Sequence, residues 1–221
     1  VTVGRLLDKK MVKYNSETQQ VDWKVYYNYG QNRIAAGDAV LKDLFNGTQE
    51  LVGGAAGIKV SSVTPTGERS EEGKQASDSS EFSVTPISGE NGQNGFELRF
   101  AKDIGSAYVI EYSTRASSPV YNVEKEPVVN TVTSGDKSAS DRVGVGQVFG
   151  IKSYVKANDN YANKTVGWKI ELNHNKLPMN GVTITDTFPN KGLELLPDSL
   201  VINKIVNGKA SGKLTLGEDY T

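Results

Sequence analysis

Few side chains in this chain are of the kind that turn over a substrate. His174 is the only histidine among 221 residues, and there is no cysteine. One imidazole leaves no His-rich zinc set and no convincing Ser-His-Asp arrangement. Without thiols there is no disulfide, thiolate metal site or thiol nucleophile. Asp136-Lys137-Ser138-Ala139-Ser140 has the Asp-x-Ser-x-Ser spelling of a metal site that needs a buried parallel strand ahead of it. The preceding residues 130–135 are polar, so a surface loop is expected instead. Asn158-Asp159-Asn160 offers oxygen atoms without the fuller spacing of a calcium loop and reads as a solvated turn. No Gly-rich phosphate loop follows a strand and opens a helix. The expectation is a protein that is not an enzyme, with no metal and no cofactor.

The elements available to position side chains are strands. Residues 23–27, 96–100, 108–112, 168–172 and 182–185 alternate apolar and polar residues at period two and are rich in β-branched and aromatic types. Trp23 and Trp168 sit on such runs and read as core anchors. Residues 39–45 are compatible with a short helix, although the repeat described below argues for a strand. Gly, Asn, Asp, Ser and Pro clusters separate the runs, which predicts an all-β sandwich architecture. The stretch 65–80 has almost no large apolar residue and is expected to be an exposed, mobile loop.

Composition fits a soluble globular chain, with 37% hydrophobic and 23% charged residues and a formal net charge of −1. That balance gives no general attraction to nucleic acid or anionic lipid. No apolar run is long enough to cross a bilayer and no signal peptide is visible, so the sequence reads as a processed or excised piece anchored elsewhere.

The chain repeats itself with a period of about 140 residues, which is domain-sized. Val1-Thr2-Val3-Gly4-Arg5 matches Val143-Gly144-Val145-Gly146-Gln147, and a gapless continuation lays Lys10 on Lys152. Val21-Asp22-Trp23-Lys24-Val25 matches Val166-Gly167-Trp168-Lys169-Ile170, and Asn28 matches Asn173. Residues 39–45 match 182–188, and Glu81-Phe82-Ser83 can be laid on Asp219-Tyr220-Thr221. The expected organisation is tandem immunoglobulin-like β-sandwiches: one over 1–140, and the first half of a homologous one over 141–221. An incomplete sandwich leaves strand edges that a partner strand could complete.

The Trp168–Asn173 block, the Gly181–Pro189 block and Gly192–Ile202 resemble the collagen-binding-type (collagen-adhesin A-region) domains of Gram-positive cell-wall-anchored surface adhesins. Residues 94–100 and 107–114 of the first copy add the later strands of that series. The resemblance implies a spontaneous intramolecular isopeptide bond between a strand lysine and an asparagine near the last strand, promoted by a buried acid. Its matching positions in the first copy are Lys10, Asp43 and Asn130, with Asn122 as the fallback partner. In the second copy they are Lys152 and Asp186, with the partner asparagine absent from these residues. Lysine attacks only when neutral, a state that burial favours. A buried acid can bond the amide carbonyl and move protons.

The resemblance also implies an extracellular, cell-wall-anchored protein that attaches to a host matrix protein or a glycan. The alternative is a non-binding structural stalk of a surface protein or pilus-like fibre. Neither nucleic acid nor membrane insertion is expected.

Overall fold

The computed structural model describes residues 4–118, 126–147, 149–189 and 191–221. The chain divides into two compact units, Val1–Pro178 and Met179–Thr221.

The first unit opens with β1 (Leu7–Asn15), β2 (Gln20–Tyr27), β3 (Val40–Phe45), β4 (Gln49–Leu51), β5 (Lys59–Val63) and β6 (Gln75–Ala76). It continues with β7 (Phe82–Ser88), β8 (Asn94–Phe100), β9 (Ala107–Ala116), β10 (Pro127–Ser134) and β11 (Lys137–Gly144). One sheet runs β1-β2-β9-β5-β6, with β4 also paired to β9; the other runs β11-β10-β3-β8-β7. Every strand pairing in these two sheets is antiparallel. Residues 40–45 are therefore a strand, held between β8 and β10.

Alternation decides which residues enter the core, because successive side chains of a strand face opposite ways. Val21, Trp23, Val25 and Tyr27 of β2 are buried, as are Leu41 and Phe45 of β3, Phe96, Leu98 and Phe100 of β8, and Val128 and Val132 of β10. The Trp23 indole N–H donates to Thr114 Oγ1 at 2.9 Å, so its one polar atom is satisfied inside the core.

The outer face of the first sheet carries a smaller apolar cluster, Tyr26, Tyr29, Val63, Ala107 and Val109. The stretch 65–80 lies beside it and is fixed by polar contacts rather than apolar ones. Arg69 pairs with Asp8 at 2.7 Å and its guanidinium lies 5.7 Å from the Tyr26 ring. Glu71 pairs with Lys24, Lys74 with Glu111, and the Tyr29 hydroxyl donates to the Ser70 carbonyl. β6 then closes the stretch onto β5. These partners give order to a segment that composition alone marks as unstructured.

Beyond β11 the first unit holds the hairpin β12 (Gly150–Tyr154) and β13 (Trp168–Leu172). The Gln147 side-chain amide donates to the Ser16 carbonyl, and Lys176 pairs with Glu17. The hairpin's apolar residues Ile151, Tyr154, Trp168 and Ile170 remain 41–50% exposed.

The second unit contains β14 (Asn203–Val206) and β15 (Lys209–Lys213), paired antiparallel. The strand expected over 182–185 is not formed, and Val182 and Ile184 are 45% and 51% exposed. The reason is pairing. The matching β3 is held by β8 and β10, whereas residues 182–185 have no strand paired to them among the described residues. A lone extended segment has no ladder to fix it.

The two tryptophans should therefore differ in energetic weight. Trp23 is 1% exposed and Trp168 is 48% exposed. Trp23→Ala is expected to cost about 3–5 kcal/mol in urea denaturation, and Trp168→Ala under about 1 kcal/mol.

Candidate functional site

Three strands of the first sandwich place a polar residue in the middle of an otherwise apolar inward row. On β1 the row is Leu7, Lys9, Met11; on β3 it is Leu41, Asp43, Phe45; on β10 it is Val128, Asn130, Val132. Lys9 is 2% exposed, and Asp43 and Asn130 are 0% exposed. Register brings the rows together. Val132 pairs with Asp43 and Asn130 with Phe45, so Asp43 and Asn130 are diagonal neighbours on one face. Lys9 comes from the opposing sheet, as does Tyr112 of β9.

Tyr112 is the hub of the cluster. Its hydroxyl donates to Asp43 Oδ2 at 2.5 Å and accepts from Asn130 Nδ2 at 3.0 Å. It also accepts a short hydrogen bond from Lys9 Nζ. Lys9 Nζ donates to Asp43 Oδ2 at 2.5 Å. The amine lies 5.5 Å from the Trp23 ring centroid and 5.1 Å from that of Tyr112, and Phe96 packs edge-on against Tyr112 at 5.0 Å. Asp43 Oδ1 and Asn130 Oδ1 are buried with no hydrogen-bond partner among the described residues.

Burial dominates the electrostatics. Removal from water pulls the Lys9 amine below its ordinary value, and the attraction of Asp43 only partly offsets this. Burial, with Asp43 alongside, holds the Tyr112 phenol well above its ordinary value. The site thus favours a neutral amine and a neutral phenol beside an amide. The reacting parts of an amine–amide exchange are gathered in one buried cluster, joined through the Tyr112 hydroxyl.

The lysine of this cluster is Lys9, not Lys10. Lys10 is exposed and stands opposite Lys24 on the outward face of the first sheet. The gapless match to Lys152 is offset by one residue. Lys152 pairs with Ile170, two residues beyond Trp168, just as Lys9 pairs with Val25, two residues beyond Trp23. Lys152 Nζ lies 5.0 Å from the Trp168 ring, as Lys9 Nζ lies over Trp23. The following turns agree. Asn28 and Asn173 both have positive φ, and each brackets the residue four positions on through its side-chain amide.

Lys152 and Asp186 are both exposed and belong to different units. Asn122, the fallback partner, lies outside the described residues. Tyr112 was not among the residues singled out from sequence. Its signal was the row Ile110, Tyr112, Thr114, which aims a hydroxyl into the core. Among the described residues no group of three or more His, Cys, Asp or Glu could hold a metal ion.

Residues 6–123, more than half of the chain, match the family described as the collagen binding domain, and the chain belongs to that family. Among solved structures, the collagen-binding domain of a Staphylococcus aureus adhesin is similar at 16% identity and a TM-score of 0.42, over 65% of this chain and 99% of that one. The collagen-binding subdomain of the Enterococcus faecalis surface protein ACE is similar at 12% identity and a TM-score of 0.40, over 63% and 93%. The S. aureus collagen adhesin is similar at 15% identity and a TM-score of 0.41, over 76% and 52%. No curated protein matches the chain.

The direction of the Lys9 shift sets a pH dependence. Asn130→Ala keeps the Lys9 amine and removes the neighbouring amide. The amine's folded value lies below the ordinary 10.5, so in that interval the unfolded chain binds the extra proton. Unfolding free energy should therefore rise with pH through the interval, up to the point near pH 10 where tyrosines begin to ionise. Denaturation of Asn130→Ala at several pH values should show this slope, and adding Lys9→Met should flatten it.

Proposed function

We propose that this chain is the matrix-binding part of a Gram-positive surface adhesin, attached to the cell wall through segments outside residues 1–221. We further propose that its first sandwich locks itself with an amide bond between Lys9 Nζ and Asn130 Cγ. Membership of the collagen-binding family carries the first statement. The buried contact of Lys9, Asp43, Tyr112 and Asn130 carries the second. The amine replaces the amide nitrogen, and one ammonia leaves per molecule. The reaction is a single self-directed step, consistent with a binding protein rather than an enzyme.

The bond would join β1 of one sheet to β10 of the other. In the loop-entropy account, closing a loop of roughly 120 residues is worth about 5 kcal/mol against unfolding. A host-attached protein under mechanical load gains resistance to unfolding and to proteolysis from such a tie.

The exposed apolar side chains of β12 and β13 favour a further part of the reading. Trp168 and Ile170 of β13 match Trp23 and Val25, which are completely covered in the first sandwich. Strands equivalent to β8, β9 and β10, supplied from outside residues 1–221, would complete the second sandwich.

Immobilised collagen, fibrinogen, fibronectin and host glycans distinguish adhesion from a stalk role. Retention on collagen at micromolar concentration or tighter is the expected result. Lack of retention on every surface, by a protein carrying both sandwiches complete, would assign the region to a stalk.

A further inference from the structure

We infer that Tyr112 is a catalytic residue of the Lys9–Asn130 cross-linking step, carrying a proton from the attacking nitrogen to the leaving nitrogen. This inference rests on the cross-link proposed above.

The step has a fixed proton balance. Neutral Lys9 Nζ attacks Asn130 Cγ, a C–Nζ bond forms, and the C–Nδ2 bond breaks. The amine enters with two hydrogens and keeps one in the new amide. The other must reach Nδ2, which leaves as ammonia. Bulk water is not at hand to carry it, because Lys9 is 2% exposed and Asp43 and Asn130 are 0% exposed.

Two groups touch the attacking amine, the Asp43 carboxyl and the Tyr112 hydroxyl. Of these, Tyr112 is the one shown in hydrogen-bond contact with the leaving nitrogen, at 3.0 Å. Its oxygen therefore lies on the shortest path between the two nitrogens. The hydroxyl keeps its proton and donates it in a hydrogen bond to Asp43 Oδ2 while Nδ2 is still a flat amide and a poor acceptor. Attack on Cγ makes Nδ2 tetrahedral and basic. The hydroxyl then gives its proton to Nδ2 and takes one from Nζ. The phenol is regenerated, and no external acid, base or oxidant enters.

Burial keeps the phenol protonated, so it holds the proton to be delivered. The ring is fixed by the edge contact with Phe96 and by position 112 in the register opposite Trp23. The oxygen is thereby pre-aimed and needs no rearrangement of the backbone.

The test is the rate at which the full chain loses ammonia as it folds. Chain made by cell-free synthesis is quenched into acidic denaturant at intervals and its intact mass followed. Tyr112→Phe keeps the ring and removes the relay, and is expected to fold and to link about 10²–10⁴-fold more slowly than the parent. Linking of Tyr112→Phe at the parent rate would overturn the inference and leave the bond standing. A parent chain that folds and never loses ammonia would overturn the cross-link itself, and this inference with it.

A second measurement covers failure of Tyr112→Phe to fold. Incorporating 3,5-difluorotyrosine at position 112 preserves shape and acidifies the phenol. A relay predicts a rate changed by about tenfold, since proton-transfer efficiency follows acidity. A merely structural tyrosine predicts an unchanged rate, and that result would overturn the inference.

Discussion

The Lys9 amine sits in the apolar interior between two sheets, and the rest of the first sandwich is arranged around that constraint. Removing an ammonium ion from water costs several kcal/mol even after partial compensation. The fold meets this cost in two ways. It surrounds the amine with Asp43, Tyr112 and two aromatic faces, and it favours the amine's neutral form. Asp43 and Asn130 face the same problem. Neither would be retained in mid-strand positions of a core for packing alone, since buried polar groups stabilise poorly compared with apolar ones of similar size. The proposed covalent bond would resolve the tension, because it would convert a costly buried amine and a primary amide into a secondary amide that ties the sheets together.

Much of this was legible in the chain. Period-two alternation marked β2, β8, β9 and β13, and the internal match identified β3 as a strand where composition allowed a helix. The expectation of Lys10 rests on extending the match without a gap, which ignores the register between β1 and β2. The strand's own alternation pointed the other way. Leu7 and Met11 share a face with Lys9, while Lys10 shares one with Asp8. Tyr112 was hidden for a different reason. A tyrosine on an alternating strand reads as core, and its hydroxyl acquires meaning only when residues 9, 43 and 130 converge on it. Order in the stretch 65–80 was equally hidden, because it depends on Asp8, Lys24 and Glu111, which are distant in sequence.

The two copies show how strongly strand formation depends on neighbours. Residues 150–154 and 168–172 fold as their first-copy counterparts do, down to the lysine over the tryptophan ring and the left-handed asparagine after the strand. Residues 182–185 do not, although their pattern is as strong as that of β3. A hairpin supplies its own pairing. An extended segment with no strand beside it has no ladder to hold it.

The most direct test of this account is proteolytic peptide mapping of the folded protein by tandem mass spectrometry. The account predicts one branched peptide joining the 7–15 strand to the 127–134 strand, with Lys9 bonded to Asn130 and one ammonia missing. Linear peptides alone, with Lys9 and Asn130 unmodified, or a branch through Lys10, would contradict it.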